Sequence, residues 1–476
     1  MFEREENTMA QLMRCAYCGW LQDEPAGVKA CARCGGALVF EIAPPTSTHN
    51  YLQVQMELDQ VTAPAGAAVK RHLVLTLRTP AQVPPEEAAP TQTGRKPLGF
   101  VNVLDVSGSM GDMGKLDQAK EAVRHAARML REGDTTALVT FATRVETLLP
   151  PARVDSDLRQ RLEASLTDLR PGGQTALCGG LEAGIAAAQQ QPQDVNLVLL
   201  ISDGLANVGE IDLEKIGARA LEAAERGVTV STLGIGSDYN EALMAEIATQ
   251  GGGRFYHVKG SQQIPAYVAG ELGEASAMSA RDVMLRLQLP LGARVSAFSA
   301  AYPAQEAATV RIGDIPADTR LEVALRIDFP PQAPQEQLRI DGQLSYRTPA
   351  GHVLEAALNP VSVRIVETGQ FTQRQGVVGD VVKQVLEQMR AAGVLRYAHT
   401  SAVASRGGPV HYAAAPAPGA EVSELGDYAS LLGEAEGRDA REKFTSNLAA
   451  MAAAPMAAKA AVAEAHSKIR GSKKFG

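Results

Sequence analysis

Residues 99–110 are GFVNVLDVSGSM, and the fold class follows from this stretch. GFVNVLD is a continuous apolar, β-rich run, the pattern of a strand covered on both faces. It breaks into a Ser/Gly loop, after which KLDQAKEAVRHAARMLRE places Leu116, Ala119, Val123, Ala126 and Leu130 at helical spacing. Strand, loop and helix in this order open an α/β unit. In such sheets the loops at the carboxyl ends of the strands line the crevice where ligands bind.

Working toward the C-terminus, TALVTFA and RVETLLP form an edge hairpin. A helix follows, and then the strands VNLVLLIS, VTVSTLGIG and GRFYHV alternate with the helices IDLEKIGARALEAAERG, EALMAEIAT and a last one at about 262–276. The pattern predicts a doubly wound, mostly parallel α/β sheet over 98–277. On either side the period changes to two. Leu52, Val54, Met56 and Leu58 alternate, as do Leu73, Leu75 and Leu77. Beyond the α/β unit come Val283 to Leu289, Leu321 to Phe329, Leu338 to Tyr346 and Val361 to Ile365. These segments predict an antiparallel β-sandwich over 280–368, joined by strands from 50–79, with the α/β unit inserted in it. The Pro-rich stretch TPAQVPPEEAAPTQTGRKP is a domain boundary. A helix is expected over 376–396, then an Ala/Gly/Pro-rich, partly helical or disordered tail over 401–476, with helices around 423–434 and 439–466, ending in a short basic run.

Composition narrows the function classes. The chain of 476 residues has 46 Lys and Arg against 54 Asp and Glu, a net charge of −8, so nucleic acid is not the favoured partner. A single Trp also argues against a base-stacking platform. No run of ~18 apolar residues is present to cross a bilayer. The first fourteen residues, MFEREENTMAQLMR, have no apolar core of a secretory signal. The expected address is the cytoplasm.

Four of the five cysteines, Cys15, Cys18, Cys31 and Cys34, form two C-x-x-C pairs separated by twelve residues, each pair running into Gly. This spacing suits a closed tetrahedral Zn2+ site in a zinc ribbon over 1–42, where the metal supplies the stability that so short a segment lacks. Such a site is structural. Redox-active C-x-x-C is the other reading, without the βαβ context that supports it.

Asp105, Ser107 and Ser109 stand at i, i+2 and i+4 on the loop that ends the first strand. Thr175 lies in the Gly-rich segment RPGGQTALCGG, and Asp203 ends the strand of LLISDGLAN. Five oxygen side chains thus come from three strand-end loops, and oxygen is what hard cations such as Mg2+, Mn2+ or Ca2+ prefer. Two carboxylates balance a divalent cation, so an anion from outside is not strongly repelled. Singly, each residue also fits a helix cap or a turn.

Together the five positions resemble the metal-ion-dependent adhesion site of the von Willebrand factor A family, known from integrin inserted domains and many bacterial proteins. The resemblance covers about 180 residues, with DGLAN and STLGIG similar to the family's later strands. It implies that the Ser and Thr hydroxyls touch the metal and that the Asp residues act often through water. The β-rich flanks resemble, in layout, inter-alpha-trypsin inhibitor heavy chains. The function implied is a metal-dependent protein–protein interaction scaffold, not an enzyme, capturing an Asp or Glu of a partner. By resemblance to intracellular bacterial relatives, that partner would be an ATPase or a signalling protein. In A-type domains the last helix shifts on capture, and here it runs directly into the β-rich region.

Two alternatives are carried forward. A metal-dependent hydrolase or phosphatase would use the same crevice, but enzymes with an aspartyl nucleophile there carry a second carboxylate two residues on, where this chain has Ser107. A nucleic-acid-associated assembly factor would use the zinc ribbon and basic tail. Cys178, His125 and His257 read as packing or surface residues. The glycines at 251–253 and at 234 and 236 lack the Lys-Ser/Thr of a phosphate loop and read as turns.

Overall fold

The computed structural model describes residues 11–15, 21–24, 38–40, 47–49, 51–81, 97–405 and 419–470, except 204, 237–238, 259–262, 277, 300, 303, 306–307, 335, 350, 374–375 and 433. Strands β1 (Gln11–Cys15), β2 (Leu21–Glu24) and β3 (Leu38–Phe40) make a small antiparallel sheet, β1 in the middle. Cys18, Cys31 and Cys34 lie outside the described residues, and of Cys15 only the backbone is described. β4 (Ser47–His49), β5 (Leu52–Leu58), β6 (Thr62–Pro64) and β7 (Val69–Arg78) follow.

Next comes the α/β unit: β8 (Leu98–Asp105), α1 (Lys115–Met129), β9 (Thr135–Phe141), β10 (Val145–Arg153), α2 (Ser156–Asp168), α3 (Leu177–Gln190), β11 (Val195–Ser202), α4 (Leu213–Glu225), β12 (Val228–Ile235), α5 (Glu241–Gln250), β13 (Gly252–Val258) and α6 (Ile264–Ser276). The strand order is β10-β9-β8-β11-β12-β13, with only the edge strand β10 antiparallel. Every residue of β8 is buried, because the strand is covered on both faces. Leu98, Phe100 and Leu104 join the layer of α1, α2 and α6, while Val101 and Val103 join that of α3, α4 and α5. Amphipathic α1 buries Leu116, Ala119, Val123 and Ala126.

After the unit come β14 (Met278–Gln288), β15 (Arg294–Ala297), β16 (Ala304–Gln305), β17 (Thr309–Pro316), β18 (Arg320–Phe329), β19 (Gln337–Arg347) and β20 (Val353–Val366). They make two sheets, β16-β17-β14-β19-β20-β6 and β15-β18-β7-β5-β4, so strands from before the α/β unit pair with strands from after it. β7 and β18 align antiparallel over their whole length, Val69 opposite Phe329 and Arg78 opposite Arg320. The two sheets approach closely at Gly342, where an added Cβ would lie 3.1 Å from Met56 Sδ.

The C-terminal region is more helical than its composition suggests. α7 runs from Gly379 to Ser405, well past the expected end at 396, and α8 (Gly419–Ala429), α9 (Glu434–Ala453) and α10 (Pro455–Arg470) occupy much of the expected tail. Many of their apolar residues are buried, among them Phe444, Leu448, Met451, Val462 and Ile469. Burial against other elements stabilises these Ala-rich helices where propensity alone is marginal. Among the described residues no helix is long and apolar enough to cross a membrane.

Candidate metal centre

Parallel pairing of β8 with β11 puts Leu104 level with Ile201, so Asp105 and Asp203 emerge from adjacent strand ends. Both carboxylates are fully buried. The Asp105 side chain turns back on its loop, Oδ1 accepting from Ser107 N at 2.8 Å, while Ser202 Oγ donates to Oδ2 at 2.6 Å. Burial raises the Asp105 carboxyl to about 6 against these hydrogen bonds, and the neighbouring charge of Asp203 adds to the rise. Asp203 Oδ1 accepts from Ser109 Oγ at 2.9 Å, and the Ser109 and Ser107 hydroxyls lie 3.1 Å apart.

The third loop is tied in through its backbone. Gly108 N donates to Gly173 O at 3.0 Å and Gly172 N to Val106 O at 2.9 Å. Gly173 has φ +81°, and a Cβ there would sit 2.6 Å from Thr143 Oγ1, so the tight turn requires glycine. Thr175 is buried just ahead of α3; its N–H donates to Asn207 Oδ1 at 2.7 Å and its carbonyl accepts from Asn207 N at 3.1 Å. Ser107, Ser109 and Asp203 therefore form one chain of oxygens, Asp105 joins it through the Ser107 N–H, and Thr175 is clamped in the adjoining loop.

The oxygens of Ser107, Ser109 and Asp203 have a spacing compatible with a hard cation. Cis ligands of an octahedron with metal–oxygen distances of ~2.1 Å lie ~3.0 Å apart. The 2.9 and 3.1 Å separations along Asp203, Ser109 and Ser107 have that spacing.

Sequence reasoning missed three residues. Ser202 and Asn207 hold Asp105 and Thr175. The third, Lys115, opens α1 and places Nζ 2.7 Å from Asp203 Oδ2, with the side chains 2% and 0% exposed. Its position ten residues after Asp105, at the start of a helix packed on the sheet, is the one signal that pointed to it. The charge count of two carboxylates against a dication was therefore incomplete.

Residues 100–269 match the family model of the von Willebrand factor type A domain. The α/β unit has the fold of that family. Over 196 residues the chain is 31% identical to the uncharacterized protein YfbK of Escherichia coli, covering 40% of this chain and 33% of that protein. It is 26% identical over 207 residues to the mouse inter-alpha-trypsin inhibitor heavy chain H2, covering 41% of this chain and 21% of that one. The match thus spans a third or less of these relatives. Two solved structures share the fold more widely. A von Willebrand factor type A protein from Catenulispora acidiphila aligns with TM-score 0.55 at 19% identity, over 80% of this chain and 87% of that one. The ArnB paralog VWA2 from Sulfolobus acidocaldarius aligns with TM-score 0.56 at 16% identity, over 88% and 99%. Both alignments extend well beyond the A-type domain.

Cys178 opens α3 beside this crevice, yet its thiol is buried and desolvation pushes it up to about 11, the opposite of activation. His257 is buried, its Nδ1 2.6 Å from Tyr239 Oη.

Proposed function

We propose that this chain is a metal-dependent protein–protein interaction scaffold whose A-type domain holds a divalent cation, Mg2+ or Mn2+, on Asp105, Ser107, Ser109, Thr175 and Asp203, and captures an Asp or Glu carboxylate of a partner. The carrying observation is the run of oxygens at octahedral edge spacing from Ser107 through Ser109 to Asp203. When bound, the cation supplies a Lewis-acidic position for an anionic oxygen. The protein's part is to hold the Asp105 carboxylate and the Thr175 backbone in place, through the Ser202 and Asn207 contacts, so that little ordering is left to do on capture.

Binding is favoured over hydrolysis because the position two residues after Asp105 is a hydroxyl, Ser107, engaged with Ser109, where a hydrolase of this geometry needs a proton-handling carboxylate. The proposal also includes a structural Zn2+ on Cys15, Cys18, Cys31 and Cys34, resting on their spacing, and a cytoplasmic setting. The test is Mn2+ binding and partner capture by the full chain. Wild type should bind Mn2+, and Asp105→Ala or Asp203→Ala should abolish both binding and capture with an unchanged circular dichroism spectrum. Full capture in EDTA would end the proposal, and Mg2+-dependent phosphatase turnover lost in Asp105→Ala would replace it with the hydrolytic reading. One equivalent of zinc, released by thiol modification, is expected for the ribbon.

A further inference from the structure

Lys115 is among the largest fully buried side chains of the protein, and its ammonium meets Asp203 on the oxygen opposite to the one that Ser109 engages. Its stem passes the turn after β12. Gly236 there has φ +81°, and a Cβ would lie 2.9 Å from Lys115 Cε. The ammonium is thus held in a fitted channel and lies fixed beside the crevice.

We propose that Lys115 is a built-in third charge of the metal centre, which weakens the hold on the cation alone and strengthens capture of a carboxylate by the loaded site. The inference rests on the metal-binding reading above. Asp105 and Asp203 bring two negative charges and Lys115 one positive, so the protein offers the cation a net single negative charge. With a divalent cation in place the site is positive by one, and a single carboxylate brings it to neutrality. Without Lys115 the loaded site would already be neutral. The lysine shares Asp203 with the metal, weakens the hold on the cation alone, and leaves a charge that only an anion from outside completes. Charges this well buried are poorly screened, so the imbalance is felt at both steps. Linkage then requires that the carboxylate raise cation affinity by the same factor as the cation raises carboxylate affinity. The ligand selected is a monoanionic carboxylate; a neutral amide or hydroxyl would leave the excess charge in place.

The test uses Mn2+ as the probe, titrated into the full chain by calorimetry, first in chloride and then with acetate replacing chloride at constant ionic strength. Lys115→Met and Lys115→Gln should bind Mn2+ alone about tenfold or more tightly than wild type. Acetate should tighten Mn2+ binding in wild type and do so less in the variants. A lysine that merely positions Asp203 would give the opposite direction, weaker Mn2+ binding on its removal. Equal or weaker binding in folded variants overturns the inference. So does a wild-type affinity that acetate leaves unchanged, a result that needs no variant to fold. Wild type and Asp203→Asn binding Mn2+ equally, or neither binding it, would instead sink the metal-binding reading itself.

Discussion

Lys459 of the last helix and Glu241 at the start of α5 meet at 2.7 Å, their side chains 3% and 2% exposed. The same ammonium donates to Tyr239 O at 2.7 Å and lies 4.3 Å from the centroid of the Tyr239 ring. The C-terminal helix is thereby fastened to the loop after β12, at the strand-end face that also carries the metal centre. Truncating one member of a buried pair leaves the other charge uncompensated, at a cost of ~3–5 kcal/mol. Lys459→Met should lower the urea midpoint accordingly, and Lys459→Met with Glu241→Gln should recover much of the loss. A cost below ~1 kcal/mol would mean the pair is solvated, since that is the range of exposed pairs.

Gly184 of α3 packs on the central strand so closely that a Cβ would fall 2.3 Å from Val103 Cγ2. Alanine gains ~1 kcal/mol in helix propensity at such a position. Overpacking costs ~1–3 kcal/mol, and the rigid central strand puts this site at the upper end. Gly184→Ala should therefore lower Tm. Combined with Val103→Ala, which opens the matching space, the loss should be smaller than the sum of the two single changes. Strict additivity would place the contact elsewhere.

His466 in α10 is buried, and desolvation, with Arg470 and Arg254 adding, pushes its imidazole down to about 3. Above its ordinary value of ~6.5 the ring is neutral in both folded and unfolded chains, and stability is at its full value. As pH falls from ~6.5 toward 3 the unfolded chain takes up a proton that the folded chain refuses, so stability drops by up to ~1.4 kcal/mol per pH unit. Urea midpoints between pH 7 and 4 should fall steeply in wild type and less steeply in His466→Gln. An identical slope in the variant would assign the loss to other groups.

Asn207 clamps Thr175 from both sides of its peptide. Outer contacts of this kind are worth roughly 10–100-fold in metal affinity. Asn207→Ala should weaken Mn2+ binding by at least ~10-fold while leaving the melting temperature of the metal-free protein within a few degrees of wild type. Unchanged Mn2+ affinity would remove Thr175 from the ligand set.

The parallel α/β sheet was legible because its signal is local. β8 and β11 are mostly apolar runs, α1 repeats its apolar residues at helical spacing, and Asp105, Ser107 and Ser109 lie together where β8 ends. The extent of the C-terminal helices was much less legible, because their Ala-rich composition is compatible with helix or coil. Burial of residues such as Phe444 and Ile469 against distant elements decides between them. Lys115 escaped the charge count for a related reason. It opens an ordinary amphipathic helix, and its partner, Asp203, lies 88 residues away.

Strand and helix alternation over the α/β unit, the chemistry of the candidate ligands and the strand ends from which they emerge were all readable along the chain, since periodicity and spacing are properties of short segments. One of the two helices between β10 and β11 and the short strands β15 to β17 were not. That an ammonium stands beside Asp203, and that the last helix is pinned by Lys459 to Glu241, emerges from the folded chain alone. Buried charges find partners wherever the folded chain brings them together, and separation along the chain carries no record of that meeting.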